Sequence, residues 1–196
     1  MKVLLINGSP HKEGSTYTAL KEIADSLEEN EIETEIFHIG TKPVSGCLAC
    51  NQCSKLGQCV LGDVVNKAVE KAKECDGFIF GSPVHYANPS GAMISFMDRF
   101  FYSAPSEVYK FKPAASITVA ALSGTSASYD ALNKYIGYND MIMVPSINWN
   151  MAFGNTAEEV KNDKYGMKIM HTIGKNMAWM LKVLDNAKKN DIPLPL

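Results

Sequence analysis

The alternation of short apolar runs with segments of helical period is the feature that most constrains the fold of this chain. The runs are rich in β-branched and aromatic residues, and apolar residues in the intervening segments recur at helical spacing. The predicted strands cover residues 3–6, 34–39, 77–81, 114–122 and 141–144, and the predicted helices cover 14–27, 64–73, 90–102, 129–136 and 166–187. This pattern predicts an α/β fold: a doubly wound, five-stranded parallel sheet of order 2-1-3-4-5 with helices on both faces.

Length and composition restrict the function classes. A chain of 196 residues fits one domain over residues 1–196. The hydrophobic share of 46%, the charged share of 20% and the net charge of −2 are typical of a globular protein, and the lack of a basic excess disfavours nucleic acid as a partner. The first apolar run, residues 3–6, is too short for a signal peptide or a membrane span. We therefore expect a cytoplasmic protein with no membrane partner.

A loop rich in glycine and hydroxyl side chains leads from the first predicted strand directly into the first predicted helix. Gly8 and Gly14 let the backbone bend closely around an anion, while Ser9, Ser15 and Thr16 offer hydroxyl donors. The helix N-terminus adds unpaired N–H groups and a partial positive charge, so the loop predicts a phosphate site. It matches neither the Walker A motif nor the G-x-G-x-x-G fingerprint, which disfavours ATP and classical NAD binding. A capped turn without a ligand is the alternative.

Two further loops follow the third and fourth predicted strands and should meet the first at one edge of the sheet. Residues 82–91 form a proline-rich segment in which Tyr86 could pack on a flat ring while backbone groups bond its polar edge. Residues 123–126 offer short polar groups to the far end of the same ring. Each loop alone could be an ordinary turn, and His85 alone could be a surface residue. Their joint position beside the phosphate loop favours a ligand site.

Four of the five cysteines share the spacing C-x2-C-x2-C-x5-C in the long predicted loop of residues 40–63. These are Cys47, Cys50, Cys53 and Cys59. Such close thiolates can surround one iron–sulfur cubane, because the short gaps let successive sulfurs turn to a common centre and the longer gap closes the fourth side. A zinc site and a cysteine loop without metal remain open alternatives. The fifth, Cys75, is expected to be a small buried core residue.

Four segments carry a resemblance to a known superfamily. They are Ile6-Asn7-Gly8-Ser9-Pro10, the Ser15-Thr16 helix start, Gly81-Ser82-Pro83-Val84-His85-Tyr86 and Phe96-Met97-Asp98-Arg99. These segments resemble the flavodoxin-like superfamily of NADPH-dependent FMN reductases and iron–sulfur flavoproteins, over about residues 1–130. Residues 125–128, Thr-Ser-Ala-Ser, depart from the Gly-Gly-Gln/Glu stretch that many members carry after strand four.

The resemblance implies FMN as the cofactor and assigns its contacts. The phosphate would lie on Ser9, His11, Ser15 and Thr16, and the isoalloxazine on Pro83, Val84, His85, Tyr86, Ser123, Gly124, Thr125 and Ser126. The resemblance also implies a [4Fe-4S] cluster on the four clustered cysteines, which would pass electrons to FMN. A homodimer or homotetramer is implied as well.

The implied function is an FMN-dependent oxidoreductase. Electrons would come from NAD(P)H, or from ferredoxin through the cluster, and leave to a small-molecule acceptor such as a quinone, free flavin or dioxygen. The flavin carries the chemistry, so no catalytic side chain is expected. An electron carrier without NAD(P)H turnover is the alternative. For Asp98 and Arg99 we expect an ion pair that anchors the third helix or a subunit interface, with a cofactor contact as the alternative.

Overall fold

The computed structural model of the protein describes residues 1–195. Its strands are β1 (Lys2–Asn7), β2 (Glu33–His38), β3 (Gly77–His85), β4 (Asn88–Pro89), β5 (Pro113–Ala120), β6 (Ile142–Met143) and β7 (Met151–Phe153). Its α-helices are α1 (Ser15–Glu28), α2 (Cys53–Leu56), α3 (Val64–Ala72), α4 (Gly91–Ser103), α5 (Thr125–Tyr138), α6 (Ala157–Asn162) and α7 (Lys164–Lys189), and a 3-10 turn covers Ser106–Val108.

The main strands form one parallel sheet of order β2-β1-β3-β5-β6. This order confirms the predicted doubly wound topology. The fifth predicted strand is divided, because β6 pairs with the start of β5 and β7 pairs in parallel with its end. Strand β4 turns back as an antiparallel partner of β3.

Two apolar cores cover the two faces of the sheet, because successive strand residues point to opposite sides. Phe78 and Phe80 face one side and pack against Phe100 of α4 within an aromatic cluster. Ile79 faces the other side, in a core that includes Ile23 of α1 and residues of α7. None of the helices within residues 1–195 is both long enough and apolar enough to cross a membrane.

Three boundaries differ from the prediction in ways that affect the candidate site. Strand β3 continues to His85 instead of ending at Gly81, because β5 pairs with it as far as Pro83. Helix α5 begins at Thr125 instead of residue 129, so Thr125 and Ser126 belong to its first turn and not to a loop. The closing helix, expected over 166–187, spans Lys164–Lys189. The elements α2, β4, β7 and α6 were not predicted, since such short segments carry little periodic signal.

Candidate functional site

A buried asparagine fixes the loop between β1 and α1. The side chain of Asn7 accepts a hydrogen bond from the N–H of Ser9 at 3.0 Å and donates one to the carbonyl oxygen of Lys12 at 3.1 Å. Ser9 is also buried, and its hydroxyl accepts a hydrogen bond from the N–H of His11 at 3.1 Å. The loop therefore holds its curved shape through contacts with its own residues.

Two residues from neighbouring parts of the chain brace the same loop. The Nε2 atom of His38, at the end of β2, lies 2.8 Å from the carbonyl oxygen of Ser9. The hydroxyl of Ser90, at the start of α4, donates to the carbonyl oxygen of Gly8 at 2.8 Å, and the N–H of Gly8 donates to Gly81 at 2.8 Å. Asn7, His38 and Ser90 were missed as site residues. A polar residue that ends an apolar strand was the available signal for Asn7.

The first turn of α1 leaves hydrogen-bonding capacity unused. Gly14 is the N-cap, and no side chain within residues 1–195 caps the helix, so the hydroxyls of Ser15 and Thr16 are not used as caps. Thr16 is 1% exposed, and its Oγ1 is a buried atom with no hydrogen-bond partner in the described chain. A buried hydroxyl without a partner destabilises a protein by about 1–3 kcal/mol. An anion at the helix N-terminus would accept this hydrogen bond and those of the free N–H groups.

The segment after β3 is a tight hairpin that presents an aromatic ring. Tyr86 and Ala87 have φ angles of 51° and 58°, and the flanking His85 and Asn88 pair with each other. Two consecutive residues with positive φ are typical of a type I′ turn. The Tyr86 side chain is 100% exposed at the tip, so its ring is free to lie against a flat ligand or a partner surface.

The loop after β5 contacts this hairpin directly. Gly124 has a φ of 85°, and a Cβ atom there would lie only 2.8 Å from the Cα of Ala87. Ser123 and Ser126 are exposed, whereas Thr125 is buried and its hydroxyl donates to the sulfur of Met151 at 3.1 Å. The predicted ring-binding loops therefore meet, but the Thr125 hydroxyl is used inside the protein.

Hydrogen bonds through Ser82 and Ser90 connect the hairpin to the loop between β1 and α1. The Oγ of Ser82, in β3, accepts a hydrogen bond from the N–H of Ser90 at 2.9 Å, and Ser90 in turn bonds Gly8. These hydrogen bonds bring two predicted groups of residues together. The first group is the predicted phosphate residues Ser9, His11, Ser15 and Thr16. The second group is the predicted ring residues Pro83, Val84, His85 and Tyr86. The unpaired Thr16 hydroxyl and the exposed Tyr86 ring thus belong to loops that meet at one edge of the sheet.

The four clustered cysteines line a separate cavity beside α4, with a volume of about 20 Å³. Cys47 and Cys50 are exposed, Cys53 and Cys59 are half-buried, and all four are free thiols. The Cys53 thiol donates to the carbonyl oxygen of Tyr102 at 3.6 Å. Within residues 1–195, no three cysteine, histidine or acidic side chains lie close enough together to hold a metal. The donor set suits a cubane, but the thiols share a cavity without converging on one point.

Arg99 lies between this cavity and the protein interior with 1% of its surface exposed. Its guanidinium forms a two-point ion pair with Asp63, with N–O distances of 2.7 and 2.8 Å. Nε and Nη2 also donate to the sulfur of Cys59 at 3.3 and 3.2 Å. The hydrogen bonds from Arg99 lower the pKa of the Asp63 carboxyl below its ordinary value.

Arg99 forms the expected ion pair that anchors this helix, with Asp63 as its partner, whereas Asp98 takes no part in it. Asp98 instead accepts a hydrogen bond from the hydroxyl of Tyr135 on α5. Adjacent residues on an α-helix point about 100° apart, so these two side chains face different neighbours. The expectation for Cys75 is confirmed, because it is 1% exposed and desolvation raises the pKa of its thiol to about 11.

The fold and the site together define a flavodoxin-like α/β protein. The model of the NADPH-dependent FMN reductase family matches residues 1–156, and the chain belongs to this family. It is therefore a flavin-dependent oxidoreductase that binds FMN.

Similar proteins agree with this assignment. An iron–sulfur flavoprotein of Methanocaldococcus jannaschii is 29% identical over 194 residues, which cover 94% of this chain and 99% of that protein. An FMN-dependent NADPH-azoreductase of Staphylococcus saprophyticus is 30% identical over 118 residues, which cover 60% and 59% of the two chains. Among solved structures, RosB with a bound flavin intermediate has a TM-score of 0.74 at 15% identity, covering 95% of this chain and 81% of its own. An archaeal flavodoxin has a TM-score of 0.62 at 14% identity, covering 93% and 99%. These structural likenesses show the flavodoxin-like fold.

Proposed function

We propose that the protein holds the FMN phosphate at the N-terminus of α1 and transfers electrons from NAD(P)H to a small-molecule acceptor such as a quinone, free flavin or dioxygen. The observation that carries the proposal is the buried, unpaired Oγ1 of Thr16 at a helix start without a side-chain cap. A phosphate there would accept hydrogen bonds from this hydroxyl and from the first-turn N–H groups, and its charge would be favoured by the helix dipole.

The residues around this position have separate roles in the proposal. Ser15 and His11 flank the phosphate, while Asn7 and His38 keep the loop in its binding shape. The hairpin residues Pro83, Val84, His85 and Tyr86 and the neighbouring segment Ser123, Gly124, Thr125 and Ser126 border the isoalloxazine. When bound, FMN supplies the redox chemistry, so these side chains bind and orient it without acting as nucleophiles or bases.

The cysteine cavity supports a second route for electrons. Four thiols surround one space, and iron–sulfur flavoproteins are among the similar proteins. In this proposal Cys47, Cys50, Cys53 and Cys59 hold a [4Fe-4S] cluster, which supplies single electrons from a ferredoxin-type donor. A protein that uses only this route would be an electron carrier without NAD(P)H turnover.

Turnover of the FMN-loaded protein tests the proposal. Oxidation of NADPH or NADH is followed without oxygen at saturating quinone or free FMN, and separately with dioxygen as the only acceptor. FMN-free protein is the control for the quinone and dioxygen assays. Acceptor-dependent NAD(P)H oxidation by the loaded protein alone is the expected result. Reduction of its flavin by reduced ferredoxin without any NAD(P)H oxidation would favour the carrier and contradict the reductase.

We further propose a homodimer or homotetramer in which a neighbouring subunit helps to close the flavin site. The fully exposed Tyr86 ring at the hairpin tip supports this idea, because a partner surface would cover its apolar area. Light scattering on the FMN-loaded protein should give two or four times the chain mass of 21.5 kDa. A mass of one chain under the same conditions would contradict it.

A further inference from the structure

The chain places its only arginine at the cysteine cavity. Lysine and arginine together number 19 in the sequence, and Arg99 is the sole arginine. Its side chain is buried, whereas the lysine ion pairs involve exposed or half-buried groups. A guanidinium differs from an ammonium because its planar fork can bind two partners at fixed angles at the same time. Arg99 binds two partners in this way, the carboxylate of Asp63 and the sulfur of Cys59.

The geometry of the guanidinium is fixed from the protein side. Asp63 pairs with both of its terminal nitrogens, and the same carboxylate caps α3 by accepting the N–H of Val65 at 3.0 Å. The Nη1 atom also donates to the carbonyl oxygen of Ser45 at 3.4 Å. Because helix α3 fixes Asp63 and helix α4 carries Arg99, the two N–H groups directed at Cys59 are held between two regular elements.

Cys59 is the cysteine that this arrangement immobilises. Its sulfur accepts two N–H groups from Arg99, and its carbonyl oxygen accepts the side-chain amide of Asn66 at 2.8 Å. Cys47 and Cys50, by contrast, are exposed in the segment that precedes α2. One of the four thiols is therefore positioned in advance, on the side of the cavity where Arg99 lies.

We propose that Arg99 is a positioning residue of the cysteine site: it holds Cys59 as the pre-placed ligand of the cluster and makes that cluster easier to reduce. The inference rests on the cluster proposed above. Thiolate ligands bring negative charge, and reduction adds one electron without exchange of atoms. Hydrogen bonds to a ligand sulfur and nearby positive charge favour the more negative state, so they raise the reduction potential.

The substitution Arg99→Lys separates positioning from charge alone. A lysine keeps the positive charge and can pair with Asp63, but its single ammonium cannot reproduce the two-point pair and the two hydrogen bonds to the sulfur. Lys110→Met is the matched control, because it removes a cation from a surface ion pair with Asp140. Asp63→Glu is the second variant, since it keeps both charges of the ion pair and displaces the carboxylate that orients the guanidinium.

The test uses FMN-loaded protein reconstituted with iron and sulfide without oxygen. Iron and sulfide per chain, a redox titration followed by electron paramagnetic resonance, and thermal unfolding are measured for all variants. We expect Arg99→Lys to fold, to keep FMN and to hold a cluster with a lower midpoint potential, and Asp63→Glu to shift the potential in the same direction by less. Lys110→Met should match the wild type.

The outcomes distinguish this inference from the proposal on which it rests. Wild-type protein that binds FMN but no iron after reconstitution would contradict the cluster and the role of Arg99 together. An iron-loaded Arg99→Lys protein with the wild-type potential would overturn only the role of Arg99. Should Arg99→Lys fail to fold, the potential of Asp63→Glu decides: a wild-type potential in that variant overturns the inference.

Discussion

The phosphate loop and the cysteine segment occupy the same protein but are organised in opposite ways. The phosphate loop, residues 8–14, is braced by buried or half-buried side chains from three strands and helices: Asn7, His38 and Ser90. The cysteine segment, residues 40–63, is largely exposed, and its regular structure is the four-residue helix α2. Arg99 holds it from the interior at Cys59.

This difference indicates how each region meets its ligand. Hydrogen bonds already hold the phosphate loop in a curved shape, and the unpaired Thr16 hydroxyl is the group that the proposed phosphate would satisfy. The cysteine thiols surround a cavity but do not converge, so a cluster would have to draw the exposed part of the segment together. Metal binding that organises its own site contributes directly to folding. We expect FMN to change the structure little and a cluster to order residues 40–63.

The largest expected effect is the complete loss of iron on removal of one ligand. Replacement of Cys53 or Cys59 by serine should abolish the cluster while the affinity for FMN stays unchanged, because the two regions share no bonding residues. Cys75→Ala is the control, since this thiol is buried in the core away from the cavity. Iron analysis and FMN titration measure both quantities. Loss of FMN together with iron would contradict the independence of the two regions.

A smaller effect is expected for the brace of the phosphate loop. Asn7→Ala removes two hydrogen bonds and leaves the N–H of Ser9 and the carbonyl of Lys12 without them. At about 1–2 kcal/mol for each group, the affinity for FMN should fall by roughly 30-fold or more. Asn139→Ala, which removes one hydrogen bond at the end of α5, is the control. Fluorescence titration with FMN should show an unchanged affinity for Asn139→Ala. An equal loss of FMN affinity in Asn7→Ala and Asn139→Ala would refute a specific role for Asn7.

The Thr16 hydroxyl should have effects of opposite sign on the apoprotein and on FMN binding. Thr16→Val removes a buried hydroxyl without a partner, so the free energy of unfolding of the apoprotein should rise by about 1 kcal/mol. Affinity for FMN should fall by roughly tenfold, because one charge-assisted hydrogen bond is lost. Chemical unfolding and FMN titration give the two values. The control is Thr172→Val on α7, which should change the unfolding free energy and the FMN affinity by less. A lower stability of Thr16→Val than of the wild type would show that the Thr16 hydroxyl is paired in the apoprotein.

The smallest expected effect is the pH dependence of the stability that the ion pair between Arg99 and Asp63 contributes. Asp63 has a lowered pKa in the folded protein, relative to 3.8, so the unfolded chain binds its proton more tightly. Its contribution to stability is therefore present above about pH 4 and is lost as the pH falls through the folded pKa. The difference in unfolding free energy between the wild type and Asp63→Asn, of order 1 kcal/mol after solvent screening, should narrow below pH 4. A difference that widens on acidification would reverse the assigned sign.

From the sequence, site residues that are adjacent in the chain can be predicted better than site residues that come from distant positions. The phosphate loop is a continuous segment between a strand and a helix, so Gly8, Ser9 and Thr16 could be recognised from adjacent positions. His38 and Ser90 reach the loop only because β2 and α4 flank β1 and β3, which depends on the complete topology. The strand order could be predicted because strands and helices alternate along the whole chain.

The ion pair between Arg99 and Asp63 could not be predicted from the sequence for the same reason. Periodicity places Arg99 on α4, but its partner Asp63 lies 36 positions earlier at the start of α3, and no local pattern selects it over Asp98. The start of α5 was predicted late, because its first turn is polar and lacks apolar spacing. The spacing of the cysteines predicts a shared site, and all four line the same cavity.

The central claim is that the N-terminus of α1 binds the phosphate of FMN, and paired titrations of the apoprotein with FMN and riboflavin test it most directly. Riboflavin carries the same ring without the phosphate, so it isolates the contribution of the loop. Two or more charge-assisted hydrogen bonds predict an affinity for FMN at least about 100-fold higher, and Thr16→Val should reduce that ratio. Equal affinities for the two flavins would contradict the account.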